Sequence, residues 1–154
     1  MNLNWSDEYK IGIEKIDRQH QYFFTLTNKL LKIVAKREQS HRELLLILNK
    51  LFSYTLRHFA IEEAMFDKSK YESAKHHILR HNEMRRKMRG YLRRINKPNA
   101  NIDKLVTEIA RHSVDWLHNH ITVEDRLYST YAHLLETKNQ KCLPKKRRKS
   151  LILR

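Results

Sequence analysis

Apolar residues recur along this chain at three- and four-residue spacing in four successive blocks, the pattern of helices that each bury one face. The first block predicts a helix over about 17–37, with Phe23, Phe24, Thr27, Leu30, Leu31 and Val34 as its stripe and Asp17 as N-cap. The second predicts a helix over about 40–66, through Leu44, Leu48, Leu51, Phe52, Thr55 and Phe59. The third, about 72–96, carries Ile78, Met84, Met88, Tyr91, Leu92 and Ile95 and ends before Pro98. The fourth, about 102–128, carries Leu105, Ile109, Trp116, Leu117 and Leu127, with a short extension toward Lys138. Residues 1–16 read as an irregular arm in which Trp5, Tyr9, Gly12 and Ile13 can pack. Short connections make neighbouring helices antiparallel. The expected architecture is all-α: an up-down-up-down antiparallel four-helix bundle over 1–137 with an irregular N-terminal arm and a basic C-terminal tail over 138–154.

Polar residues interrupt these stripes at telling places. His20 extends the first stripe, His58 and Glu62 the second, His77 and His81 the third, and His120 the fourth. His20 and the His77/His81 pair lie near the starts of their helices, whereas His58/Glu62 and His120 lie near the ends of theirs. In an up-down bundle those four ends coincide, so five imidazoles and a carboxylate converge in one core layer. Unpartnered buried polar groups cost about 1–3 kcal/mol each, and a metal satisfies them together. His58/Glu62 and His77/His81 are i,i+4 pairs, about 5–6 Å apart on one helix face. After His120 the next acids are Glu124 at i+4 and Asp125 at i+5. Helix spacing favours Glu124, and Asp125 needs a local widening of the helix or a position near a frayed end. Imidazole with carboxylate suits zinc, iron, copper or nickel. Five imidazoles and two carboxylates are too many for one ion, which implies two ions sharing bridging carboxylates. The Glu-x-x-His motif of ferritin-type bundles is absent from these positions.

Composition narrows the class. The 154 residues include only two Gly and two Pro, against a turn-rich all-β fold. A single cysteine, Cys142, excludes an internal disulfide framework and a cysteine-based zinc site. No apolar run approaches the ~20 residues of a membrane span, and the first residues do not read as a signal peptide. These features predict a cytoplasmic protein. About half of the formal charge of +15 sits in residues 138–154, which hold eight Lys or Arg and no acid. A second basic run comprises Arg85, Arg86, Lys87, Arg89, Arg93 and Arg94. The tail is the candidate docking element for a protein or an anionic partner. Neither run carries the interleaved aromatics or groove-reading motif of nucleic-acid binding, and both read first as solvated surface.

The full pattern has a family likeness. Trp5…Gly12-Ile13…Ile16-Asp17-x-Gln19-His20, His58-x-x-x-Glu62-Glu63-x-Met65, His77-x-x-x-His81 and Trp116-Leu117-x-x-His120-Ile121-x-x-x-Asp125 together resemble the bacterial hemerythrin family across residues 5–128. The resemblance implies a non-haem di-iron site with an oxo or hydroxo bridge. One iron is held by His77, His81 and His120, the other by His20 and His58, with Glu62 and Asp125 bridging. It thus implies Asp125 as ligand where spacing favours Glu124. It leaves one open coordination position on the two-histidine iron, where O2 binds.

The implied function is reversible O2 binding for carriage, storage, delivery or sensing, not enzymatic turnover. The alternative is a redox or O2 sensor, or a peroxide- or nitric oxide-reactive centre, working through a partner. Phe23, Phe24, Phe59, Trp116, Leu117 and Ile121 are candidate walls of the O2 pocket. Thr122 is a polar residue that would quicken autoxidation if it faced the iron. His41, His76, His112, His118 and His133 are expected to take no ligand role.

Overall fold

Each apolar stripe is buried against its neighbours. The computed structural model describes residues 3–35 and 41–142, the last five of these as backbone only. Helices α1 (Glu14–Val34), α2 (His41–Ser69), α3 (Ala74–Ile95) and α4 (Ile102–Asn119) form a four-helix bundle. α1 packs against α2 and α4, α2 against α3, and the α3–α4 contact is the thinnest. The chain then passes through one π-helical turn, His120–Asp125, into α5 (Arg126–Cys142). Residues 143–154, most of the expected tail, lie outside the described residues, as do the expected end of the first helix at 36–37 and the start of the second at Ser40.

One half of the bundle is an ordinary apolar core, with Leu26, Leu30, Ile33, Leu44, Leu48, Met88, Ile95 and Ile109 at 0–1% exposure. The other half is polar inside and is closed by a second cluster. Phe66 and Tyr71, at the α2–α3 turn, pack on Tyr128 of α5, with centroids 4.7 Å apart for Phe66–Tyr128 and 5.2 Å for Tyr71–Tyr128. Leu127, expected on the buried stripe, is instead 56% exposed. It follows His120 by seven residues, two turns of an unbroken α-helix. The π turn inserts one residue, so Tyr128 takes the inward place.

The arm is pinned at several points. Leu3 and Asn28 exchange two hydrogen bonds of 2.8 Å. Tyr9 and Trp5 pack edge-on against Phe24, and Ser129 and Arg126 donate to the Ile11 and Glu8 carbonyls. Asp17 is not the N-cap: α1 begins at Glu14, with Ile13 in the extended capping position. The Asp17 carboxylate reaches back one turn and accepts from the Ile11 and Gly12 N–H groups at 2.9 and 3.1 Å. It thereby fixes the bend at Gly12, whose φ of +80° disfavours any side chain. A Cβ there would also lie 3.3 Å from His133 Nε2. Gly12→Ala is expected to cost about 1–2 kcal/mol, read as a lower denaturant midpoint at unchanged slope; an unchanged midpoint would refute the strain at this bend.

Candidate metal centre

Four helical segments deliver seven polar side chains into the closed half of the bundle. His20 comes from α1, His58 and Glu62 from successive turns of α2, and His77 and His81 from successive turns of α3. His120 and Asp125 come from the two ends of the π turn. All seven are buried, at 0–3% exposure. Their ligating atoms form two groups, each with its members within 4.8 Å of one another: Glu62, His77, His81 and His120, and His20, His58, Glu62 and Asp125. Glu62 belongs to both. Its Oε2 lies 3.2 Å from His81 Nε2, 3.7 Å from His120 Nε2 and 3.4 Å from His58 Nε2. Asp125 also straddles the groups, with Oδ1 3.2 Å from both His77 Nε2 and His120 Nε2, and Oδ2 3.0 Å from His20 Nε2.

The π turn decides between the two acids that follow His120. An i→i+5 turn returns the fifth residue to the starting face, which carries Asp125 inward beside His120. Glu124 turns outward, to His76 Nδ1 at 3.5 Å and Arg80 Nε at 3.8 Å. π turns occur frequently at functional sites, and this one supplies the widening that the sequence spacing required.

The donor set fits metal. All five Nε2 atoms, Glu62 Oε2 and both Asp125 carboxylate oxygens are buried without a hydrogen-bond partner. Buried polar groups are otherwise almost always paired, so orphan atoms that face one another mark a cation site. Burial, the largest influence, drives the His58 and His81 imidazoles well below their ordinary range and His120 down to about 3, which keeps them in the neutral form that ligates. Burial and the adjacent Asp125 push Glu62 well above the usual carboxylate range. Burial also pushes Asp125 up, but the surrounding imidazoles outweigh it and hold the group low. Two buried carboxylates this close call for positive charge between them.

A family comparison agrees with this chemistry. Residues 11–132 match the family model described as the Hemerythrin HHE cation binding domain. The chain belongs to the hemerythrin family. It is 30% identical over 134 residues to a bacteriohemerythrin of Stenotrophomonas maltophilia (strain R551-3), covering 86% of this chain and 84% of that protein. A bacteriohemerythrin of Clostridium acetobutylicum is 29% identical over 126 residues, covering 80% of this chain and 96% of that one. A crystal structure of wild-type hemerythrin superposes with a TM-score of 0.74 at 26% identity, over 83% of this chain and 95% of its own.

Within this hemerythrin fold most of the expected wall residues surround the cluster. Phe59 stacks on His81 at 3.7 Å and 7°, and Trp116 on His120 at 4.3 Å and 19°. Phe23 stands edge-on to His58 at 5.3 Å, and Ile121 is fully buried. Leu117 lines a small apolar cavity of about 10 Å³ that it shares with Phe23, Leu51, Met84, Met88 and Trp116. Phe24 belongs instead to the packing of the arm. Thr122 donates its hydroxyl to the His118 carbonyl one turn back, at the helix surface, and does not line the cluster. His41, His76, His112, His118 and His133 all lie outside the two groups.

Gln19 and Glu63 belong to the motif, but sequence reasoning assigns them no role. Gln19 Oε1 accepts from His58 Nδ1 at 2.9 Å, and Glu63 Oε1 from His81 Nδ1 at 2.9 Å. Each adjoins a ligand in sequence yet serves a histidine on another helix, and that crossing has no one-dimensional signature.

Proposed function

We propose that this chain binds O2 reversibly at a non-haem pair of iron ions. The observation that carries the reading is the division of the orphan donors. Three imidazoles, from His77, His81 and His120, face two imidazoles, from His20 and His58, across the shared carboxylates of Glu62 and Asp125. The two-imidazole side offers one nitrogen fewer, so a metal held there would keep room for a small ligand. Iron held by these residues would supply the electrons that O2 takes up on binding and returns on release.

The protein's part is to position and to exclude. Glu62 and Asp125 hold the two halves together. Five imidazoles against two carboxylates would give bound metal a ligand shell of low negative charge, which suits the reduced state of the pair. Phe23, Phe59, Trp116 and Ile121 keep bulk water and its protons away. A cleft of about 490 Å³ along the thin α3–α4 contact reaches Trp116 and His120. Met84 and Trp116 line both this cleft and the inner cavity. We read the chain as a binder rather than an enzyme because the site's acids and bases are all committed as ligands or as partners of ligands.

The test is iron per chain together with visible spectra of the anaerobically reduced protein, after air, and after O2 is withdrawn. Two irons and a coloured oxygenated form that bleaches on withdrawal are expected. Irreversible conversion to a ferric spectrum would overturn reversible binding. Stoichiometric zinc, or no metal, would overturn the di-iron reading.

A further inference from the structure

The seven donors look alike, but the groups behind them differ. His81 Nδ1 faces a carboxylate, Glu63 Oε1, at 2.9 Å. The same oxygen accepts from Arg85 Nη2 at 2.8 Å, and Arg85 is largely covered, at 16% side-chain exposure. The Arg85 guanidinium lies 5.1 Å from the centroid of Phe59, the ring that stacks on His81. Glu63 is therefore held in place against the imidazole. On the other side His58 Nδ1 faces a neutral amide oxygen, Gln19 Oε1, at 2.9 Å. The Nδ1 atoms of His20, His77 and His120 have no hydrogen-bond partner. Among the described residues, the one anionic hydrogen-bond partner behind a ligand imidazole serves the three-imidazole group.

A carboxylate that accepts the Nδ1–H of a ligating histidine fixes the tautomer and raises the basicity of the other nitrogen. Charge-assisted bonds of this kind are roughly twice as strong as neutral ones, so the Gln19 amide does less for His58. Arg85 draws on the same carboxylate oxygen and moderates its effect. We propose that Glu63 is a positioning residue that makes the two metal positions unequal. Through His81 it tightens the metal of the His77/His81/His120 group and holds it at lower potential. Gln19 leaves the His20/His58 metal weaker, and Arg85 sets the size of the difference. This inference rests on the two-metal reading above.

A purely structural role for Glu63 makes a different prediction. If the Glu63–Arg85 pair only braces α2 against α3, Glu63→Gln and Arg85→Gln break the same brace and act alike. If Glu63 acts through His81, the two variants act in opposite directions. The test titrates the metal-free full chain with Co2+ under anaerobic conditions, following its d–d absorption, and measures the reduction potential of the iron-loaded protein. Melts of each metal-free variant report folding independently.

We expect two unequal Co2+ steps in the wild type. Glu63→Gln should weaken the tighter step by about ten- to a hundredfold and shift the potential upward. Arg85→Gln should shift the potential downward, and Gln19→Glu should tighten the weaker step. Same-sign shifts from Glu63→Gln and Arg85→Gln, equal weakening of both steps, or no shift at all overturn the proposal while leaving the two-metal reading intact. Uptake of a single Co2+ by the wild type overturns that reading and this inference with it.

Discussion

Asp125→Ala is expected to lower bound iron from two per chain to less than one, while Glu124→Gln leaves it at two. The two acids are adjacent, and an unbroken α-helix would reverse their roles. In the π turn Asp125 is 1% exposed and meets His20, His77 and His120 at 3.0–3.2 Å. Glu124 faces His76 and Arg80 at the surface. On the proposed two-metal reading, Asp125→Ala removes donors from both positions at once, so it should be more damaging than loss of one histidine. Loss of even a supporting partner of a ligand costs 10–100-fold in metal affinity, and loss of the bridging carboxylate should exceed that. Asp125→Ala also takes a carboxylate away from the imidazoles that hold it low, so the metal-free chain should melt lower than the wild type. Iron analysis and a melt of the metal-free form separate the two effects. Iron retained by Asp125→Ala, or lost from Glu124→Gln, would sink the assignment.

That pair of residues also marks where the sequence stops being legible. Up to His120 a 3.6-residue period places every inward histidine correctly, because hydrophobic burial enforces the phase of each helix. The π turn depends on backbone hydrogen bonds shifted by one residue, and no side-chain pattern announces that shift. It therefore misleads the spacing argument twice, at Glu124 and at Leu127. The family resemblance implies Asp125 as ligand, and the π turn is what carries that residue inward. Asp17 carries a different lesson: its residue type marked a helix start, yet its carboxylate serves the two preceding N–H groups from one turn inside. Glu63 and Gln19 act across helix pairs, which needs three-dimensional packing to see. The closure of the site by Phe66, Tyr71 and Tyr128 is likewise built from residues distant in sequence.

The metal-free protein should be strongly acid-sensitive, and metal should protect it. His58, His81 and His120 are held below their ordinary value of about 6.5, first of all by burial. Below pH 6.5 the unfolded chain therefore takes up protons at these three positions that the folded chain refuses. Stability is present above that pH and falls as pH drops, by up to about 1.4 kcal/mol per pH unit for each imidazole. Glu62 acts with the opposite sign. Its folded value is raised by burial and by Asp125, so its contribution is fully present below about 4.5 and is lost as pH rises through the raised value. Three imidazoles against one carboxyl leave a net loss of up to about 3 kcal/mol per unit as pH falls from about 6.5 toward 4.5. Asp125, held low, matters only below that window. Against a total stability of about 5–15 kcal/mol, two pH units suffice to unfold a marginal apo form. Metal on the Nε2 atoms binds the folded chain and not the unfolded one, and adds about 4 kcal/mol per site when free metal exceeds Kd a thousandfold. At about 2–4 °C per kcal/mol for a chain of this size, the loaded protein should melt about 10 °C or more above the metal-free one at pH 7. Melts of both forms by circular dichroism between pH 5 and 7.5 give the answer. An apo melting temperature that stays flat across that range, or one equal to that of the loaded form, would mean that the buried imidazoles already have partners without the metal.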